Sequence, residues 1–286
     1  MVNGQGPYRF IIDTGANRSA ISTELAGTLG LTSTGTGPVH TIDDVAVAPL
    51  VDVASIEYAG ISFGATQAPM IHGPVLAGED GLLGVDGMRG RRLTLDFQHR
   101  CFEISGAGRA HAAAGWTRVR GQLRFGHLVL IPGEVRGRRI NVLIDTGSGS
   151  SLANNALRTE LANVAMTQPV DGADLMRAFT AGSPIILDSR IIMPSLRLGD
   201  ISADNVTAYI GDFHIFDLWG LRDQPTLLIG MDVLSKARAI AIDYSNGSVY
   251  FRIDQDLRTG SMIRGVTNGP ITSFNGRTAH QATDGY

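Results

Sequence analysis

Two stretches decide how this chain folds: Phe10-Ile11-Ile12-Asp13-Thr14-Gly15-Ala16 and Val142-Leu143-Ile144-Asp145-Thr146-Gly147-Ser148. Each is a short apolar run that stops abruptly at Asp-Thr-Gly. Such a run reads as a buried strand closed by a turn, with glycine giving the backbone its freedom. A carboxylate at the inner end of a buried strand is costly to desolvate unless something compensates. Two such carboxylates in one chain, with matching flanks, point to a pair brought together for acid–base work.

Composition narrows the setting. The chain has 286 residues, enough to bury a substantial core and to form two domains. A net charge of −3 gives no electrostatic reason for a nucleic-acid or anionic-membrane partner. Cys101 is the only cysteine, so no intrachain disulfide can form. The seven histidines are scattered without metal-type spacing and are read as structural or surface residues. No apolar run reaches transmembrane length. Short alternating segments divided by Gly, Asn and Asp predict a mainly β protein.

The segments before the two aspartates differ. Val2 to Tyr8 reads as a strand end and a tight turn feeding the strand of Asp13. The turn at Val135-Arg136-Gly137-Arg138-Arg139 has a full strand ahead of it, from Leu128 to Pro132. If the start was trimmed of an export signal, a periplasmic or exported protein is expected; otherwise a cytoplasmic one. Past Asp13, Ile21, Leu25 and Leu29 are spaced as on a helix within 17–30, with Ser22 as its N-cap. Residues 32–41 read as a small-residue loop, 45–53 as a hairpin arm, and 93–97 with 101–104 as a closing hairpin.

The same order then repeats, and this duplication organises the chain. A helical segment is expected at 152–161, Ser195 to Ile201 echoes Ser55 to Ile61, and Leu228-Ile229-Gly230 echoes Leu82-Leu83-Gly84. The hairpin around Asn246-Gly247 echoes the hairpin at 93–104. The expected domains are 1–104 and 128–253, with a linker at 105–127 and a mobile tail at 254–286. Asp86 and Asp232 follow the two glycine segments at matching positions and are expected to cap helices. Trp219 is expected in core or loop packing.

Two copies of hydrophobic-hydrophobic-Asp-Thr-Gly-Ala/Ser, each followed by hydrophobic-hydrophobic-Gly, resemble the retropepsin-like aspartic proteases. Both copies in one chain are similar to the two-domain bacterial members, and the resemblance covers about Val2 to Ile253. It implies two pseudo-symmetric β-barrel domains with short helices, an active site at the domain interface, and aspartic endopeptidase activity on a peptide or protein substrate. It implies Asp13 and Asp145 as catalytic residues, supported by Thr14, Gly15, Ala16, Thr146, Gly147 and Ser148. Thr14 and Thr146 would cross-bond beneath the dyad, and flaps would lie near 39–53 and 168–190. No metal or cofactor is required.

Two carboxyl groups about 3 Å apart cannot both ionise, so the pair shares a proton. A water between them is activated by the charged partner while the protonated one polarises the peptide carbonyl. A serine hydroxyl beside a carboxylate favours its charged form, so Ser148 predicts that Asp145 carries the charge and Asp13 the proton. Having both triplets in one chain predicts a monomer, with a dimer open through an exposed sheet edge. A catalytically idle peptide-binding or scaffold protein of the same fold stays open as an alternative. So does a glycosidase, whose two carboxyl groups would stand at least about 5 Å apart.

Overall fold

The computed structural model describes residues 1–58, 60–106, 115–125, 128–170 and 175–253. The first half contains β1 (Phe10–Ile12), β2 (Ala20–Ser22), α1 (Thr23–Thr28), β3 (Gly35–His40), β4 (Val45–Val53), the short pair β5 (Glu57–Tyr58) and β6 (Ile61–Ser62), β7 (Thr66–Ile71) and β8 (Gly81–Leu83). Two further strands, β9 (Arg91–Asp96) and β10 (Cys101–Gly106), leave this half and form the expected closing hairpin. The run 107–114 at the centre of the expected linker and the expected tail at 254–286 lie outside the described residues.

The stretch read as linker also contributes strands, β11 (Trp116–Arg120) and β12 (Gln122–Arg124). Then come β13 (Leu128–Val135), β14 (Arg138–Ile144), β15 (Leu152–Ala153), α2 (Asn155–Glu160), β16 (Met166–Pro169), β17 (Met176–Ala178), β18 (Ile185–Leu187), β19 (Ser189–Leu198), β20 (Ile201–Ile210) and α3 (His214–Leu218). The chain continues with β21 (Thr226–Ile229), α4 (Met231–Leu234), β22 (Ala239–Asp243) and β23 (Ser248–Arg252).

The duplication read in the sequence is a duplication of topology. The first sheet runs β1-β8-β2-β7-β4-β3, and the second contains the matching order β14-β21-β15-β20-β19-β16. The second sheet adds β12 and β13 beside β14, and β13 also meets β19 through Glu134 and Arg197. Two pseudo-symmetric β-barrel halves result, mainly β with short helices. The turns ahead of the two aspartates match in detail. Asn3 and Gly4 have φ of 50° and 73°, and Arg136 and Gly137 have 46° and 84°. Positive φ at both central residues is the hairpin turn whose twist suits the strands that it joins.

A third sheet joins the halves in the order β10-β9-β22-β23-β11. Its centre is the antiparallel pairing of β9 with β22, which sets Leu93 opposite Ile242 and Leu95 opposite Ile240. All four side chains are buried. Arg92 on β9 makes a 2.9 Å ion pair with Asp243 on β22. The halves are therefore fastened by backbone pairing, apolar packing and charge.

Three local expectations are corrected. Ala20-Ile21-Ser22 is a strand, and the helix within 17–30 is confined to Thr23–Thr28. The reason is tertiary: β2 pairs with both β7 and β8, so Ile21 is buried in a sheet instead of on a helix face. Ser22 does cap α1, accepting from the Leu25 amide at 2.9 Å. The second half repeats the substitution, with β15 preceding α2. The small-residue loop at 32–41 holds β3, paired along its length with β4. Gly37 faces Leu50 there, and a Cβ would lie 2.9 Å from a methyl of that side chain.

Candidate active site

Each aspartate stands at the end of a strand that runs parallel to a glycine-segment strand. Ile12 pairs with Leu83 and Ile144 with Ile229. The next amide extends each ladder: Asp13 N–H donates to the Leu83 carbonyl and Asp145 N–H to that of Ile229, both at 3.0 Å. The two carboxylates thus leave their sheets at equivalent points and meet where the halves face each other.

The meeting is reciprocal. A Cβ on Gly147 would lie 2.3 Å from the carboxyl carbon of Asp13, and one on Gly15 would lie 2.8 Å from that of Asp145. Each carboxyl group therefore occupies the space above the other triplet's glycine, which only a residue without a side chain leaves free. The two carboxyl groups share a hydrogen bond. That is closer than the separation at which glycosidases work, about 5 Å or more.

Beneath the pair, Thr14 and Thr146 cross between halves as expected. The Thr14 hydroxyl donates to the Ile144 carbonyl at 2.8 Å and the Thr146 hydroxyl to that of Ile12 at 2.7 Å. Each hydroxyl also accepts the other threonine's amide. Gly15 and Ala16 amides donate to Asp13, at 2.8 and 3.0 Å, and the Gly147 amide donates to Asp145 at 2.9 Å.

The ground for expecting the charge on Asp145 falls away. Burial raises the pKa of both carboxyl groups. Asp145 is pushed well above the ordinary range, by burial first and then by the charge of Asp13. On Asp13 the rise is opposed by the Gly15 amide, by a bond from the Asp145 carboxyl and by the Ala16 amide. Asp13 accepts two amides and Asp145 one, an asymmetry that favours the charge on Asp13 and the shared proton on Asp145. Ser148 does not alter this, because its hydroxyl donates to the Ser150 carbonyl at 2.7 Å and not to Asp145.

Asp86 and Asp232 are not helix caps; they tie loops together. Ser19 donates to Asp86 through its amide and, at 2.7 Å, through its hydroxyl, which accepts the Gly84 amide in turn. The twin arrangement has Ser151 donating to Asp232 at 2.8 Å and accepting the Gly230 amide at 3.1 Å. Amides of Val85 and Met231 donate to Ala16 and Ser148, the residues just beyond each triplet. These ties fix the loops whose amides hold the carboxylates. The sequence signal was the matched spacing from each triplet to Ser19 and Ser151, and from each glycine to Asp86 and Asp232.

Two hairpins lie close to the segments expected to form flaps. The β3–β4 hairpin ends in 41–44 and the β17–β18 hairpin in 179–184. Their tips are alike: Thr41 Oγ1 accepts the amides of Asp43 and Asp44, and Thr180 Oγ1 accepts that of Gly182. Trp219 is buried, in edge contact with Phe216. Among the described residues no cluster of three or more metal-ligating side chains occurs, and no helix is long and apolar enough to cross a membrane.

A carboxyl pair seated between two duplicated half-sites, each on its own Asp-Thr-Gly turn, defines the aspartic-protease architecture. The aspartyl protease family model matches residues 1–86 and 131–233, and the chain belongs to that family, within the retropepsin-like clan. No curated protein matches the chain significantly.

Proposed function

We propose that the protein is a single-chain aspartic endopeptidase with Asp13 and Asp145 as its catalytic residues. The observation that carries this reading is the reciprocal seating of each carboxyl group over the other triplet's glycine, with a hydrogen bond between them. In the reaction, Asp13 takes a proton from the attacking water while Asp145 gives its proton to the scissile carbonyl oxygen. The water oxygen bonds to the carbonyl carbon and a neutral gem-diol forms. Asp13 then passes its proton to the amide nitrogen, Asp145 recovers one from a diol hydroxyl, and the C–N bond breaks. The dyad ends as it began, and neither a metal nor a cofactor enters the scheme.

Both triplets belong to one chain, so the proposed enzyme works as a monomer on a peptide or protein substrate. The test is a diverse peptide library incubated with wild type, Asp13→Asn and Asp145→Asn, with products read by mass spectrometry. Cleavage by the wild type alone supports the reading. Cleavage that survives either substitution, or a wild type that cuts nothing across acidic and neutral pH, removes it.

A further inference from the structure

Each flap tip is fastened to the opposite half of the molecule. Ile42, at the tip of the first flap, packs on the second half's cluster containing Leu143, Leu187 and Phe216. Its carbonyl accepts the Ile215 amide of α3 at 3.1 Å. Ala181, at the tip of the second flap, packs on Ala20, Ile71 and Leu76 of the first half. The tips also touch: a Cβ on Gly182 would lie 2.5 Å from a carboxyl oxygen of Asp44.

One of these contacts depends on protonation. Nδ1 of His40, at the end of β3, lies 3.0 Å from Nε2 of His214, at the start of α3. The rings lie edge to edge, with centroids 5.4 Å apart and planes 13° from parallel. A neutral imidazole offers one donor and one acceptor nitrogen, whereas a charged one offers two donors. The bond therefore holds with both rings neutral or with one charged. It is lost when both are charged, because two N–H groups and two positive charges then face each other. Histidine is the side chain that ordinarily makes this change between about pH 5 and 8.

We propose that the crossed flaps are a latch over the dyad and that the His40–His214 pair releases it on acidification. The proposal rests on the proteolytic reading above for its purpose, but not for its geometry. The other charged groups at this place are Asp43 and Asp44 on the flap tip, Asp212 and Asp217 beside and within α3, and Arg222. Asp44 is held by Thr41, Asp212 by Asn155 and Asp217 by Arg222. Among side-chain types, imidazole is the one that ordinarily changes charge in mild acid; carboxylates do so near pH 4 and guanidinium groups above about 12. Release also falls where a buried carboxyl pair with raised pKa still keeps its shared proton.

The test measures opening without relying on catalysis. Hydrogen exchange at the Ile215 amide, corrected for the intrinsic pH dependence of exchange, is followed at pH 7.5 and 5.0 in wild type, His40→Ala and His214→Ala. Wild-type protection should fall at least tenfold on acidification, and both variants should be open at both values. In parallel, the variants should exceed wild-type kcat/KM at pH 7.5 severalfold and match it at pH 5.0. Wild-type protection that does not change between the two values overturns the latch, as does wild-type protection in either variant at pH 7.5. Acid-released protection in a protein that cleaves no peptide keeps the latch and rejects the protease.

Discussion

The backbone amide of Thr14 donates to the hydroxyl oxygen of Thr146, and that of Thr146 donates to the hydroxyl oxygen of Thr14, both at 3.1 Å. The halves thus hold each other by groups that lie next to the two aspartates. Valine matches threonine in shape and lacks the hydroxyl. Thr14→Val would leave the Ile144 carbonyl and the Thr146 amide unpaired, each at a cost of about 1–3 kcal/mol. Urea unfolding should show this loss, and turnover should fall with it. Thr14→Ser, which keeps the hydroxyl, should retain most of both.

The carboxyl pair should make stability depend on pH in a direction opposite to ordinary surface acids. Both pKa values are raised in the folded protein, first of all by burial. The folded state therefore holds a proton that the unfolded chain has already lost. Stability from this source is full below the unfolded carboxylate value and is lost as pH rises through the folded one. Asp145→Asn replaces the protonated partner by a neutral group of the same shape. The variant should be inactive yet more stable at neutral pH, with a gain that vanishes in acid. Each kcal/mol gained should raise Tm by about 2–4 °C. A variant less stable than wild type at pH 7 counts against Asp145 as the proton holder.

Alanine at either triplet glycine should disturb the dyad without straining the backbone. At Gly147 the new methyl would stand 2.3 Å from the Asp13 carboxyl carbon, and at Gly15 it would stand 2.8 Å from that of Asp145. The carboxylate must move in both cases. Displacement by about 1 Å typically costs about 100-fold in rate, so Gly147→Ala should lower kcat by at least that much and Gly15→Ala by less. Peptide turnover measured beside circular dichroism separates this from unfolding.

Much of this arrangement was legible because the chain says it twice. A single Asp-Thr-Gly is a turn, but two on matching apolar strands, each with its own glycine segment, restrict the topology to a duplicated one. What escaped the sequence was set by tertiary neighbours. Ile21 has helical spacing with Leu25, yet the strands on either side of it claim it for the sheet. Ser148 stands where a hydroxyl could reach Asp145, but the carbonyl two residues on captures it. His40 and His214 are 174 residues apart, and no local pattern marks the flap crossing that brings their rings together.

An ion pair crosses the sheet between the halves. Arg92 on β9 and Asp243 on β22 are 2.9 Å apart, with side-chain exposures of 22% and 1%. Burial acts to raise the pKa of Asp243, but the hydroxyl of Ser245 and the guanidinium of Arg92 outweigh it and hold it below the ordinary carboxylate range. Removing one member of a buried pair leaves the other charge uncompensated, typically at about 3–5 kcal/mol. Arg92→Met should therefore destabilise more than Asp243→Asn, since the arginine retains some access to water and the aspartate has almost none. The sign of the pH dependence follows from the lowered pKa. The stabilisation is present above the unfolded carboxylate value and is lost as pH falls through the folded one. Urea midpoints at pH 7 should drop in both variants, and the gap from wild type should narrow toward pH 3. Equal losses at pH 7 and pH 3 would mean that the pair contributes by packing alone, and its charge would then have no part in fastening the halves.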